Sequence, residues 1–223
     1  MKMLLALLLA LQDAPPYRAT MTIERHSKRE DRVGVETGDL LVKPGEALLF
    51  QSRLQKVAIK DGRAFERKGS ERKVVAWDLS KPENFQPLDL WRLDSRAILE
   101  RFREIVDRSA EPRELPPAVL DGEGKPRPPV AVSPSPGSLA RADGVDRAEG
   151  CMRVILVPRD ARLRSRITSI RLSVDRATNR ILRAVVDSPS QVLTLTLGDC
   201  PEAAPPEDAA FDWDFSTLKV EDR

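Results

Sequence analysis

Gly38-Asp39-Leu40-Leu41-Val42-Lys43-Pro44-Gly45, followed by Val57-Ala58-Ile59-Lys60-Asp61-Gly62-Arg63-Ala64-Phe65, is the stretch whose reading decides the fold. Val33 to Lys43 reads as one long strand stopped by Pro44-Gly45, a strong turn pair. Glu46 to Ser52 carries the next strand around Leu48, Leu49 and Phe50. Gln55 to Ile59 and Ala64 to Arg67 then flank Asp61-Gly62, a dipeptide that accepts the positive φ angles of a tight hairpin. Upstream, Ala19 to Glu24 alternates Met21 and Ile23 with Thr20, Thr22 and Glu24, the period of a half-buried strand, and a charged turn from His26 to Arg32 joins it to Val33. Downstream, a turn through Gly69 leads to a strand at Arg72 to Trp77. The first half is a run of short strands joined by close turns, which predicts a mainly antiparallel sheet.

The period changes at Asp94 to Val106. Ala97, Ile98, Phe102, Ile105 and Val106 fall on one helical face and Arg96, Glu100, Arg101, Arg103 and Glu104 on the other, which predicts a helix with Asp94 or Ser95 as its cap. So short a helix needs a surface to rest on, and the open face of the sheet is the simplest one. Residues 109–150 hold eight prolines and few large apolar groups, and read as a long loop or insert. Strands resume at Met152 to Val157, Ile167 to Val174, Ile181 to Val186 and Gln191 to Leu197, a second meander. After Pro201 to Pro206, alternating Phe211-Asp212-Trp213-Asp214-Phe215 predicts a closing strand.

Lys2 followed by the apolar run Leu4 to Leu11 has the form of a secretory leader and is too short to span a bilayer. Residues 1–12 are therefore read as a cleaved signal peptide and 13–223 as one domain. Basic and acidic residues nearly balance, 37 against 35, and are interleaved, so no nucleic-acid field is expected. In an oxidising compartment Cys151 and Cys200 are a candidate disulfide. A simple meander would hold them three strand spacings apart, on the order of 14 Å, beyond bridging distance.

Catalytic signatures are missing. His26 is the single histidine and sits in a charged turn, there is no Gly-x-Ser-x-Gly or His-Glu-x-x-His, and three scattered Cys and His residues do not make a zinc site. No metal or other cofactor is expected. Asp212 and Asp214 would share a strand face, but with 35 acids in the chain such pairs arise by chance and face water. Phe211, Trp213 and Phe215 read as a core face.

Gly38-Asp39-Leu40-Leu41-Val42-Lys43-Pro44, the Val57 to Phe65 hairpin, Leu156-Val157-Pro158, the strands to Leu197 and the closing Phe211 to Phe215 segment together resemble the periplasmic outer-membrane lipoprotein carrier family, the LolA type. The resemblance covers most of residues 19–216 apart from the proline-rich insert. It implies a mainly β (α+β) fold, a curved antiparallel sheet forming an unclosed half-barrel whose apolar concave face lies under a helical lid. The cavity would be lined by Leu40, Val42, Leu48, Phe50, Val57, Ile59, Phe65, Val75 and Trp77, with Ile98, Phe102 and Ile105 on the lid. The family's Lys-Arg-Pro is Lys43-Pro44 here, which makes Lys43 the candidate for cargo handover.

What the resemblance implies about function is a periplasmic, monomeric, non-enzymatic carrier or chaperone for the acyl chains of lipoproteins. Its partners would be lipoproteins, the inner-membrane release machinery and an outer-membrane acceptor. Burial of acyl methylenes at roughly 0.8 kcal/mol each is sufficient for such carriage and requires no catalytic group. Two alternatives stand beside it. One is a relative of the same fold that binds envelope polypeptides or senses their state. The other is a carboxylate-dependent envelope hydrolase, which rests only on the abundance of Asp and Glu.

Overall fold

The computed structural model describes residues 15–30, 32–92, 95–106, 151–175, 177–178, 180–198, 206–211, 213 and 218–222. The leader, the insert, Cys200, Asp212, Asp214 and Phe215 lie outside the described residues. Six strands come first: β1 (Tyr17–Ser27), β2 (Val33–Lys43), β3 (Ala47–Ser52), β4 (Gln55–Lys60), β5 (Arg63–Lys68) and β6 (Lys73–Asp78). A 3-10 turn (Pro82–Asn84) and two short helices, α1 (Asp89–Arg92) and α2 (Ser95–Arg101), lead to β7 (Phe102–Val106). Then come β8 (Cys151–Pro158), the one-turn helix α3 (Ala161–Arg164), β9 (Ser169–Asp175), β10 (Arg180–Asp187), β11 (Gln191–Leu197), a 3-10 turn (Asp208–Phe211) and β12 (Lys219–Asp222). Among the described residues no helix is long and apolar enough to cross a membrane.

All twelve strands join one sheet in the order β12-β6-β5-β4-β3-β2-β1-β11-β10-β9-β8-β7. The edge strands β12 and β7 do not pair with each other, so the sheet stays open. The joint between the two meanders is β1 against β11, from Met21 opposite Leu197 to Ser27 opposite Gln191. Every neighbour is antiparallel except β12, which lies parallel to β6. Asp61 and Gly62 take φ angles of 52° and 72°, the doubly positive pair that matches the twist of the hairpin from β4 to β5.

Cross-strand register decides which side chains share a face. Leu40 sits opposite Phe50, Val42 opposite Leu48, Phe50 opposite Val57, Leu48 opposite Ile59, and Ile59 opposite Ala64. This row continues through Ala64 to Trp77 and, one step along, through Glu66 to Val75. The same face carries Met21 and Ile23 of β1, Ala184 and Val186 of β10 and Leu172 of β9, all in one buried cluster.

Three expectations are corrected. Phe65 pairs with Ala58 and Ala76, so it lies on the opposite face from Ile59 and Ala64. Ala64, between Ile59 and Trp77 in register, is the residue that faces inward, since large groups on both sides leave room for a small one. The single helix predicted over 94–106 is a helix only to Arg101, and Phe102 and Ile105 belong to β7, opposite Pro158 and Ile155. The unpaired edge of β8 offers a ladder of backbone partners, and Ile105 and Val106 are β-branched, so pairing outweighs the helical period. Finally, Phe211 stands in a 3-10 turn, and the closing strand falls at Lys219–Asp222 instead.

Candidate ligand-binding face

Leu40, Val42, Leu48, Phe50, Val57 and Ile59 form the centre of the inner face, and none is more than 6% exposed. What covers them is the segment after β6. Leu79, Phe85, Leu88, Leu90, Trp91 and Ile98 all join the same cluster, and Phe85 meets Phe102 edge to face with ring centroids 5.2 Å apart. Ile98 joins from α2, and Phe102 reaches the same core from a strand. The side chain of Ile105 lies outside the described residues. Val75 is half-buried, and Trp77 packs partly buried against the cluster.

Polar contacts fix the lid at both ends. Trp91 is fully buried and its Nε1–H donates to the carbonyl of Ile181 on β10 at 3.0 Å. Gly45, in the turn between β2 and β3, donates its N–H to the carbonyl of Arg92. The lid therefore bridges both halves of the sheet. Arg92 Nε pairs with Asp89 at 2.7 Å with both side chains almost inaccessible, and Arg101 stands 4.0 Å from the same carboxylate. Arg101 also donates to the carbonyl of Leu79, and Arg166 to that of Glu83. Sequence reading missed this segment: Phe85, Leu88, Leu90 and Trp91 lie among Pro82 and Pro87, where neither a 2-residue nor a 3.6-residue period can develop.

Further along the inner face the lining turns polar. Glu36, two and four residues before Gly38 and Leu40, is buried and its carboxylate accepts from Arg25 at 2.9 Å, from Gln55 Nε2 at 3.0 Å and from the Ser52 hydroxyl. Three donors make a buried carboxylate tolerable in this position.

Two clefts open at the lid end. The larger, about 1140 Å³, is bordered by the Asp61 to Arg63 turn, Asp78 to Pro82, Arg92, Glu100, Arg101, Arg159, Asp160 and Asp222. The smaller, about 430 Å³, is bordered by Lys43, Gly45, Glu46, Ala47, Lys60, Asp61, Arg92 and Phe211. None of the nine apolar cavity candidates lines either cleft. Lys43 is at the rim of the smaller one, in an ion pair with Glu46 at 2.7 Å. Cys151, at the start of β8, carries a free, half-buried thiol. Among the described residues no cluster of His, Cys, Asp and Glu could hold a metal ion.

No protein-family model and no curated protein matches this sequence. In structure the chain is similar to an uncharacterized conserved protein from Thermus thermophilus, with TM-score 0.50 and 10% identity over 100% of this chain and 98% of that one. It is also similar to a LolA superfamily protein from Nitrosomonas europaea, at TM-score 0.45 and 11% identity over 96% and 98% of the two chains. The Pseudomonas aeruginosa MucA/MucB complex aligns at TM-score 0.41 and 14% identity, over 96% of this chain and 60% of that one. The likeness to the Thermus protein, over almost the whole of both chains, shows a shared fold. The open twelve-stranded half-barrel of this chain, with short helices laid into the concavity, is the architecture anticipated from the ordered motifs at Gly38 to Phe65.

Among the described residues three carboxylates are held below the usual carboxylate range. Asp78, on the rim of the larger cleft, is lowered chiefly by hydrogen bonds from the Ser80 hydroxyl and amide. Asp175 is lowered first by the Thr178 hydroxyl at 2.6 Å and then by the Ala177 amide. Glu221 is lowered first by Lys73 and then by Lys219. Each folded-state value lies beneath the unfolded one, so its stabilising effect is fully present above the unfolded pKa and fades as pH falls through the folded value. The urea midpoint should stay level from about pH 7 to 5 and drop below about pH 4, the ordinary carboxylate range. A midpoint that rises on acidification would contradict these assignments.

Proposed function

We propose that this chain is an exported, periplasmic carrier or chaperone that takes up the acyl chains of lipoproteins against the inner face of the half-barrel, in exchange for its own lid. The observation that carries this reading is the lid itself. A continuous apolar face is covered by one segment of the chain, Leu79 to Trp91, whose apolar side chains it buries. An acyl chain of about 14 methylenes gains on the order of 11 kcal/mol on leaving water. Each large lid side chain gains about 1.5–3 kcal/mol in the same place, so a handful of them balances one acyl chain and the exchange is reversible. Carriage of this kind needs shelter and release, and no catalytic step.

In this reading Leu40, Val42, Leu48, Phe50, Val57, Ile59, Val75 and Trp77 receive the ligand, Ile98 and Phe102 lie at its cover, and Lys43 stands near the exit. The partners are lipoproteins, an inner-membrane release complex and an outer-membrane acceptor, met by a monomer. Mass spectrometry of the protein purified from its own envelope should find stoichiometric acylated cargo, and calorimetry should find a lipidated peptide bound at least tenfold more tightly than its unacylated form. An empty protein with no preference between the two peptides would remove the carrier reading.

A second reading is favoured by the charged lining of the larger cleft, which suits polypeptide better than lipid. In that case the half-barrel binds envelope polypeptides or reports their state. Equal affinity for the acylated and unacylated peptides, weakened by Arg159→Glu at the cleft wall, would select it.

A further inference from the structure

The outer face of the β3 to β6 half is also largely closed to solvent. Leu49, Ala58, Val74 and Ala76 point away from the concavity by register and are at most 8% exposed. Residues that follow β11 lie against this side: Phe211 is buried, its 3-10 turn packs on β3, and the Trp213 ring lies 4.8 Å from Lys56 Nζ and 5.9 Å from the Arg67 guanidinium. The chain then adds Lys219–Asp222 to the edge of β6 as its parallel neighbour, from Lys219 opposite Lys73 to Asp222 opposite Ala76. Lys219 donates its N–H to the carbonyl of Arg72 at 3.0 Å.

Ion pairs accompany the backbone pairing of this added strand. Glu221 bridges Lys73 at 3.0 Å and Lys219 at 3.4 Å, and Asp222 pairs with Arg63. Val220 between them is 41% exposed. A four-residue strand held by ion pairs that face water is a weakly bound occupant, because such pairs contribute little and are screened by salt. The edge beneath it has a fixed backbone ladder and two cations, Lys73 and Arg63, spaced to meet acidic residues on an extended chain.

We infer that the β6 edge is a docking site for an extended acidic polypeptide segment of a partner protein, added as a parallel strand, and that Lys219–Asp222 occupies this site in cis. Backbone ladders give strand addition its affinity and alternating side chains its selectivity. Lys73 and Arg63 select for carboxylates one and two positions after an apolar residue, the pattern of Val220-Glu221-Asp222. The inference is independent of the acyl reading, since it concerns the edge and outer face rather than the concavity.

The test uses the whole 223-residue chain with Glu221→Pro, which deletes both the bridging carboxylate and a backbone N–H of the bound strand, and a fluorescein-labelled peptide Leu-Lys-Val-Glu-Asp-Arg. A second variant, Glu221→Lys with Asp222→Lys, releases the strand by charge alone. Fluorescence anisotropy should show the peptide bound at least tenfold more tightly by either variant than by the parent. Adding Lys73→Glu should reverse the gain, and the neutral peptide Leu-Lys-Val-Gln-Asn-Arg should bind at least fivefold more weakly. Absence of binding by variants whose thermal melts match the parent overturns the inference, as does equal binding of a scrambled peptide.

Discussion

Trp91→Ala should lower the stability of the protein by about 3–5 kcal/mol, the usual cost of removing a fully buried Trp side chain. Two losses combine. The indole leaves a void among the inner-face residues, and the Ile181 carbonyl, on the strand that bulges between Ile181 and Arg183, loses its donor. Trp91→Phe separates them: the ring refills most of the void, and the remaining loss reports the orphaned carbonyl, about 1–3 kcal/mol. Urea unfolding of the three proteins gives both values. Under the proposed exchange of lid for ligand, removing the Trp91 link to β10 should also make the Ala variant bind an apolar dye and a lipidated peptide more tightly than the parent at temperatures where it remains folded. A Trp91→Ala protein that unfolds at the parent's urea concentration would mean that the lid is not packed as described.

Gly38→Ala should cost about 1–3 kcal/mol although alanine is the smallest possible addition. A Cβ at this position would stand 2.5 Å from the backbone oxygen of Gln51 and 2.8 Å from the Phe50 ring. The glycine is required by close approach: the Phe50 ring lies over its Cα on the inner face, one register step from its partner Leu40. Phe50→Ala alone should cost about 3–5 kcal/mol. The double variant should be less destabilised than the sum of the two, since removing the ring relieves one of the two overlaps, and it should still be worse than Phe50→Ala, because Gln51 belongs to the backbone and cannot move away. Strict additivity in equilibrium unfolding would place the Gly38 overlap elsewhere.

Much of this inner face is legible in the order of residues alone. β2 runs from Val33 to Lys43 as its alternation and Pro44-Gly45 stop require, and the Asp61-Gly62 turn has the backbone angles its residues permit. Leu40, Val42, Leu48, Phe50, Val57 and Ile59 share one face because alternation within a strand and turns of two or three residues between strands leave a single register. Phe65 shows where that logic stops. In Ala64-Phe65-Glu66 a small and a large apolar residue are adjacent, and size alone favours burying the ring. The packing between Ile59 and Trp77 instead requires the methyl group, and Phe65 turns outward beneath the Arg63 guanidinium, 5.3 Å from its ring.

The site is less legible than the sheet, for a related reason. Face periodicity reports which residues are apolar together, and says nothing of what will cover them. The lid segment from Leu79 to Trp91 has no sustained period, and its place follows from Trp91 reaching Ile181, ninety residues ahead, and from Gly45 meeting Arg92. Phe102 to Val106 likewise shows a helical pattern that pairing with β8 overrides.

By itself, then, the sequence of this protein determined ten of the described strands, their hairpins and the apolar face they present, because these depend on residues within a few positions of one another. Tertiary structure alone decided that β1 joins β11, that β7 is a strand, that the lid fills the concavity and that Lys219–Asp222 returns to β6 in parallel. Each of those choices brings together residues far apart in the chain. Their cost is loop closure and their return is the burial of a face or the pairing of an edge, quantities that exist only once the rest of the fold is in place.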